Sequence, residues 1–265
     1  MEAKKAKNRY AAIIEKIFFS KYIKGEEEVA FAREDLVRAA KSLCIELPKN
    51  LGDVIYSIRY RTDLPQSILK TQPKGKEWVI EGRGRALYRF HLVTENRIVP
   101  NEQLAAIKVP DATPEIVSSY ALSDEQALLA RVRYNRLLDV FLGVATYSLQ
   151  NHLRTTVRDL GQVEIDEIYV GIDKRGVQFV LPVQAKGGAD QLSVVQAKQD
   201  MACCHEKFPN LVCRAISAQF ISANLIALFE LAIDDGMVKI VEEKHYRLVP
   251  GNQITTEDLK TYASR

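Results

Sequence analysis

Apolar residues recur at helical spacing in three segments near the start of the chain and alternate with polar residues in two short runs after them. The three segments predict helices at Asn8–Lys21, Arg33–Cys44 and Asn50–Arg61. The two runs predict strands at Glu77–Glu81 and Ala86–Leu92. The glycines of the Gly-Arg-Gly-Arg segment between the runs permit a tight reversal, so the two strands are expected to form a hairpin.

The third helix and the hairpin tip are expected to present polar and basic side chains to solvent. The apolar stripe of the helix faces the core, which leaves Ser57, Tyr60 and Arg61 on or beside the exposed face. Arg83 and Arg85 lie at the hairpin tip. Three helices followed by a hairpin is the order of a winged-helix domain, predicted here for residues 1–93. In such a domain the third helix lies in the major groove of DNA, while the hairpin tip reaches phosphates or the minor groove.

A solvated helical bundle with a basic hairpin is the alternative interpretation of this segment, and Tyr60 is then a half-buried packing residue. The distribution of charge is compatible with both interpretations, because it does not by itself distinguish a nucleic-acid surface from a solvated basic face. Residues 1–92 hold 19 Lys and Arg against 12 Asp and Glu, a net charge of +7, whereas the remainder holds 18 against 22, or −4. Such an asymmetry is typical of a chain in which one part contacts a polyanion.

Residues 94–120 contain three prolines and predict a connector to a second domain at residues 121–265. The second domain opens with a capping-box pattern, Ser123 with Gln126, and an apolar stripe that predicts a helix running to about Leu149. Three strands, a helix and a fourth strand are then predicted at Leu153–Val157, Gln162–Ile172, Val177–Lys186, Asp190–His205 and Cys213–Phe220. The predicted order is α-β-β-β-α-β.

Composition is that of a folded protein, with 47% apolar and 27% charged residues. The chain has no apolar run long enough to span a membrane, and its first residues lack the apolar run of a signal peptide, so a cytoplasmic protein without a membrane partner is expected. The four cysteines show no C-x-x-C spacing and two are adjacent. They predict neither a zinc site nor a disulfide framework, and we expect reduced core residues.

Candidate chemistry lies on the predicted hairpin of the second domain. Alternation of side chains places Glu164 and Asp166 on one face of its first strand, and Gln184 and Lys186 on one face of its second. If these faces coincide, two carboxylates meet an amide and an ammonium group at one end of a sheet. Such a cluster can hold a hard divalent cation while the lysine orients or activates water. Simple pairing of acidic and basic residues across an exposed hairpin is the alternative.

The segments Val163-Glu164-Ile165-Asp166 and Pro182-Val183-Gln184-Ala185-Lys186 resemble the PD-(D/E)xK nuclease superfamily, which includes many restriction endonucleases. The resemblance implies a restriction-endonuclease-like α/β fold with an αβββαβ core, a mixed sheet and a magnesium site. Asp166 takes the aspartate position and Lys186 the lysine position, while Gln184 stands where Asp or Glu is usual. Mg²⁺ would then be held by Asp166, Gln184 and Glu164, with Glu167 replacing Glu164 if the register is shifted by one residue.

These features predict a magnesium-dependent endonuclease that cuts double-stranded DNA, similar to a sequence-specific type II restriction endonuclease. A homodimer is expected if both strands of a two-fold site are cut. Glycines after Lys186 would let a DNA backbone approach, and Gln191, Gln196 and Lys198 would face its phosphates. Two alternatives remain open at this point. One is a DNA-binding regulator on a catalytically inactive nuclease fold, which Gln184 motivates, and the other is a repair or junction nuclease.

Overall fold

The computed structural model describes residues 2–60, 62–94, 97–120, 125–188 and 190–264, with the backbone alone described at residues 2–8 and 60. The chain separates into two units. The first comprises Met1–Asn96 with Arg158–Gly161, and the second comprises Arg97–Val157 with Gln162–Arg265.

The first unit combines helices with a small antiparallel sheet of order β1-β3-β2. Its elements are α1 Glu2–Lys21, β1 Glu28–Ala32, α2 Arg33–Ser42, α3 Gly52–Tyr60, α4 Gln66–Leu69, β2 Glu77–Gly82 and β3 Leu87–Val93. The three predicted helices and both hairpin strands are confirmed, although α1 begins at Glu2 and not at the predicted Asn8. The predicted order of three helices and a hairpin was incomplete, because β1 lies between the first two helices and the short α4 precedes β2.

An aromatic cluster organises the core of the first unit. Phe18 is fully buried, and its ring meets those of Trp78 and Phe90 edge to face at centroid separations of 5.2 and 5.0 Å. Ring quadrupoles favour this geometry, which adds about 0.5–1.5 kcal/mol per pair to the gain from burial. Helix α3 completes the core through Val54 and Ile58, on the stripe that the periodicity predicted.

The remaining elements form an eight-stranded mixed sheet, a separate two-stranded sheet of β4 and β9, and helices. They are β4 Arg97–Ile98, β5 Ile107–Pro110, α5 Glu115–Tyr120, α6 Glu125–Tyr134, α7 Leu137–Leu142, β6 Ala145–Val157, β7 Gly161–Ile172, β8 Gln178–Lys186, β9 Leu192–Ser193, α8 Val194–Lys207, β10 Val212–Cys213, β11 Ala215–Ser222, β12 Leu225–Asp234, β13 Met237–Val249 and α9 Thr256–Ala263. The strand order is β5-β13-β12-β11-β8-β7-β6, with β10 beside β8. β8 runs parallel to β11, and β5 parallel to β13, while β7–β8, β11–β12 and β12–β13 are antiparallel.

The structure is therefore α/β with a mixed sheet. Residues 97–120, interpreted above as part of a connector, contain β4, β5 and α5, and β5 forms one edge of the large sheet. No helix in the described ranges is long and apolar enough to cross a membrane.

The single long helix predicted from Ser123 to Leu149 is wrong. Ser123 lies outside the described residues, and the helical segment beyond it is broken between α6 and α7, where Arg136 adopts a left-handed conformation (φ 49°). Gly143, also left-handed, ends α7, and residues 145–149 belong to β6. The apolar stripe continues through the break because α6 and α7 both pack into one core, so periodicity alone gave no sign of it.

The sheet is apolar on the face toward α6 and α7, where Val183, Ala185 and Ile216 join the core. Helix α8 packs against the opposite face. It begins at Val194, and its N-cap is Ser193, whose Oγ accepts a hydrogen bond from the Gln196 N–H. The predicted start at Asp190 was therefore too early, because residues 192–193 form the short strand β9.

The four cysteines are free thiols, but they are not uniformly core residues as expected. Cys203 and Cys204 are buried in α8, Cys213 is half-buried, and Cys44 is exposed. Cys44 follows α2 with a positive φ of 53°, in a turn where its side chain has no core to enter.

Candidate active site

The predicted site residues meet where β7 and β8 leave their backbone ladder. Backbone pairing of β7 with β8 runs from Ile172 to Glu167, which lies opposite Val183. In the residues of β7 before Glu167, side chains connect the two strands. The Ala185 N–H donates to Asp166 Oδ2 at 2.8 Å, and Gln184 Nε2 donates to the backbone oxygen of Glu164 at 3.0 Å. Hydrogen bonds of the Asp166 carboxylate and the Gln184 amide thus take the place of backbone hydrogen bonds between the strands. The backbone of β8 holds Asp166, and the backbone of β7 holds Gln184.

Asp166 is a half-buried carboxylate in a crowded electrostatic environment. Burial raises its pKa above the ordinary value, while Lys186 and the Ala185 N–H favour the charged form. Glu125 on α6 and Glu164 push the pKa of Asp166 further upward. A cation bound here would relieve this repulsion.

Gln184 is almost completely buried and is held by α8 as well as by β7. Its Nε2 lies 3.3 Å from Asp200 Oδ1, and its Oε1 accepts a hydrogen bond from Gln196 Nε2 at 2.9 Å. The backbone oxygen of Glu164 can accept but not donate, so Gln184 Nε2 must face it and the orientation of the amide follows. The carbonyl oxygen of Gln184 consequently points toward Gln196.

Asp200 is the residue that sequence reasoning missed. It is fully buried on α8, and burial raises its pKa well above the ordinary value, with Asp166 adding to the shift. Gln196 and Asp200 are four residues apart, so they lie on the same helix face and reach Gln184 together. The Gln-x-x-x-Asp spacing in the helix after the motif was the available signal, but it acquires meaning only once α8 is packed against β8.

Glu164 is placed with basic groups of the neighbouring strand. Its carboxylate lies 3.2 Å from Arg154 and 3.2 Å from His152, both on β6, and is partly exposed. Glu164 therefore shares the face of Asp166, as alternation predicted, but the Arg154 guanidinium engages both of its oxygens.

Glu167 lies on the opposite face of β7, toward α6. It is fully buried, and its carboxylate accepts hydrogen bonds from Arg133 at 2.8 Å and from Ser148. Arg133 and Ser148 also line a cavity of about 300 Å³ on that side of the sheet. The register therefore places Asp166 beside Gln184 and the candidate site, and removes Glu167 from it.

The predicted DNA contacts on α3 are only partly described. Ser57 is half-buried, with its Oγ 3.5 Å from Thr62 Oγ1, so it is less exposed than predicted. Tyr60 ends α3, but its side chain lies outside the described part of the chain, as does all of Arg61.

The predicted contacts on the loops are placed at the surface or near it. Arg83 is exposed, and its guanidinium pairs with Glu28 at 2.6 Å. Arg85 is exposed in the same hairpin tip. Gln191, in the second unit, is half-buried immediately before β9. The two arginines are therefore not equivalent, because one of them is already held by a carboxylate.

The donor set fits a magnesium ion that keeps most of its water. Across the described ranges, no group of three or more His, Cys, Asp or Glu is placed to hold a metal ion. Mg²⁺ is commonly bound through one or two carboxylates, with water and substrate phosphate completing its shell. Asp166 supplies such a carboxylate, whereas the Gln184 oxygen is neutral and already bonded to Gln196. The fit therefore depends on Asp166.

Neither a scan against protein-family models nor searches of curated proteins and solved structures found a match to this chain.

Proposed function

We propose that the second unit is a magnesium-dependent endonuclease that hydrolyses phosphodiester bonds of double-stranded DNA. The observation that carries the proposal is that the charge of Lys186 acts on the Asp166 carboxylate where β7 and β8 diverge, with Gln184 held between β7 and α8. The order α6/α7-β6-β7-β8-α8-β11 supports an αβββαβ core of the PD-(D/E)xK type. A type II restriction endonuclease acting as a homodimer is the narrower form of the proposal.

The reaction is in-line attack of water on phosphorus, in which a P–O bond to water forms and the P–O bond to the leaving oxygen breaks. A bound Mg²⁺ supplies Lewis-acid stabilisation of the phosphate oxygens. Asp166, fixed by the Ala185 N–H, provides the anionic oxygen that holds the ion. Lys186 provides a positive charge for the attacking water or the charge that develops on the phosphoryl group. Gln184 holds β7 and α8 in position around both residues.

The first unit is proposed to bind the DNA as a winged-helix domain. Its order α1-β1-α2-α3-α4-β2-β3 and three-stranded sheet support this interpretation, together with the net charge of +7 over residues 1–92. α3 would enter the major groove and the β2–β3 tip would contact phosphates. Mutation of Arg85 to alanine should weaken binding to all sequences and reduce its salt dependence. Arg83→Ala should have the smaller effect, because that arginine already pairs with Glu28.

Cleavage of plasmid and genomic DNA with and without Mg²⁺ tests the enzyme proposal. Asp166→Asn and Lys186→Met should each lose cleavage and retain DNA binding, because they remove a charge without removing bulk. Lys174→Met is the matched control, since it removes an exposed lysine at the far end of the same hairpin and should cut like the parent. Parental cleavage by Asp166→Asn would exclude this site as the catalytic centre.

A DNA-binding regulator with an inactive nuclease fold is the second candidate function. It is favoured by the engagement of Gln184 with Glu164, Gln196 and Asp200, and by the pairing of the Glu164 carboxylate with basic residues. Tight DNA binding by the parent without cleavage in Mg²⁺ or Mn²⁺, on any DNA tested, would establish this candidate over the enzyme.

A further inference from the structure

Two exposed basic side chains of β6 lie against Glu164, beside the candidate site. β6 is the last strand in the order of the large sheet and therefore forms one of its edges. Arg154 Nη2 donates to Glu164 Oε1, and Arg154 Nε lies against Glu164 Oε2, both at 3.2 Å. His152 Nε2 lies 3.2 Å from the same Oε1. More than half of the side-chain surface of Arg154 and of His152 is exposed, so an incoming molecule can reach both.

The arginine holds Glu164 in the geometry of an oxyanion site. Nε and Nη2 form one edge of the planar guanidinium, and they address the two oxygens of one anion side by side. A phosphate group presents two oxygens in the same way, which is why arginine binds carboxylate and phosphate alike through this fork. The Glu164 carboxylate therefore occupies a position that fits a phosphate of the DNA backbone.

This position lies next to the candidate catalytic residues. Glu164 and Asp166 share one face of β7, and two residues of a strand span about 7 Å. His152 adopts a left-handed conformation within β6, with φ of 53°, and local backbone strain of this kind clusters at functional sites. The ion pair of Arg154 with Glu164 is largely exposed, and such pairs contribute little to stability. The fold therefore does not depend on keeping the pair intact.

We propose that Arg154, with His152 beside it, binds a backbone phosphate of the DNA at the candidate site, and that Glu164 holds this position until DNA arrives. This rests on the proposed function, because it takes duplex DNA as the ligand, and it adds residues that hold the strand to be cut. Glu164 acts as an internal competitor, since its carboxylate must leave Arg154 before the phosphate binds. Removing the charge of Glu164 should strengthen DNA binding, but only while Arg154 is present.

Binding of random-sequence duplex DNA by the full-length protein in EDTA, at several salt concentrations, tests the proposal without cleavage. Arg154→Met should weaken binding by about tenfold, as expected for one charge-assisted contact. It should also reduce the slope of log affinity against log salt by about one, the loss of one phosphate contact. His152→Ala should have a smaller effect, because one nitrogen makes one contact. Arg175→Met is the matched control, since Arg175 is an exposed arginine that pairs with Asp173 at the other end of β7, and it should bind like the parent.

A double-mutant cycle separates competition by Glu164 from general charge repulsion. Glu164→Gln should raise the DNA affinity of the parent by about twofold to fivefold, the gain from releasing an exposed ion pair. The same change should have no effect in Arg154→Met, because no competition remains there. An equal gain in both backgrounds, or an Arg154→Met protein that binds like Arg175→Met, would overturn the proposal. A parent that binds DNA but does not cut it in Mg²⁺ would overturn the nuclease proposal alone, because the cycle is measured on binding.

Discussion

Replacing Gln184 with glutamate gives this chain the acidic residue that is usual at the corresponding position of the PD-(D/E)xK motif. The change exchanges the Nε2 donor for an oxygen. That oxygen would face the backbone oxygen of Glu164 and lie about 3.3 Å from Asp200 Oδ1. In the parent, Gln184 Nε2 is a donor between two acceptors, whereas in the variant a third acceptor oxygen would lie between them. The residue is 1% exposed, so water cannot compensate.

The expected loss of stability follows from these contacts. Leaving a buried acceptor without its hydrogen bond costs about 1–3 kcal/mol. The new carboxyl and Asp200 cannot both ionise at this separation, so the folded-state pKa of the new group is raised. An acid with a raised folded-state pKa destabilises the protein increasingly as pH rises above the unfolded value, about 4.3 for glutamate. The loss should therefore be small at pH 4 and reach its full size by pH 8.

Urea unfolding followed by far-ultraviolet circular dichroism at pH 4 and pH 8 measures this loss. The double variant Gln184→Glu/Asp200→Asn restores one amide beside one carboxyl and should recover part of the loss. Equal stability of parent and Gln184→Glu at pH 8 would refute the clamped geometry of Gln184.

Two further predictions concern buried charge. Asp200→Asn should raise the urea midpoint at pH 8 and raise it less at pH 4, because burial raises the pKa of Asp200 and a proton held only in the folded state weakens stability as pH rises. A gain that is independent of pH would contradict a buried neutral Asp200. Arg133→Met should destabilise the second unit by about 3 kcal/mol, because it leaves the fully buried Glu167 without its cation. Arg154→Met, which removes the partner of the more exposed Glu164, should cost less than about 1 kcal/mol, and equal losses would contradict the assignment.

The sequence was sufficient where an element has its own local signal. Helices α1 to α3, the β2–β3 hairpin and strands β7, β8 and β11 were predicted because each has a periodic apolar pattern bounded by turn residues. Strand β1 was missed because its five residues run directly into α2 without a turn. The break at Arg136 was missed because no glycine or proline marks it. Residues after Phe220 received no assignment, yet β12 and β13 extend the sheet by two long strands.

The site was predictable in its strand residues but not in its surroundings. Alternation predicted that Glu164 and Asp166 share one face of β7 and that Gln184 and Lys186 share one face of β8, because the period of a strand is two, but it left open whether these faces coincide. The roles of Gln196 and Asp200 depend on how α8 packs against β8, which a single sequence does not encode at short range. The engagement of Gln184 with both residues is likewise a tertiary property, and it bears directly on how well this glutamine can serve a metal ion.

Asp166 and Glu167 are adjacent in sequence, but their side chains lie on opposite faces of the sheet and have different surroundings. Glu167 faces the apolar side of the sheet, where Arg133 balances its charge and both Arg133 and Ser148 donate hydrogen bonds to its carboxylate. Its charge therefore has a structural role. Asp166 faces α8 where the backbone pairing of β7 and β8 ends. Burial and two nearby acids raise its pKa, and Lys186 lowers it, so its charge is only partly compensated. A shift of one residue in the pairing of β7 would exchange these surroundings, because successive side chains point to opposite faces. The backbone register of β7 with β8 therefore selects which of two neighbouring carboxylates is available for chemistry.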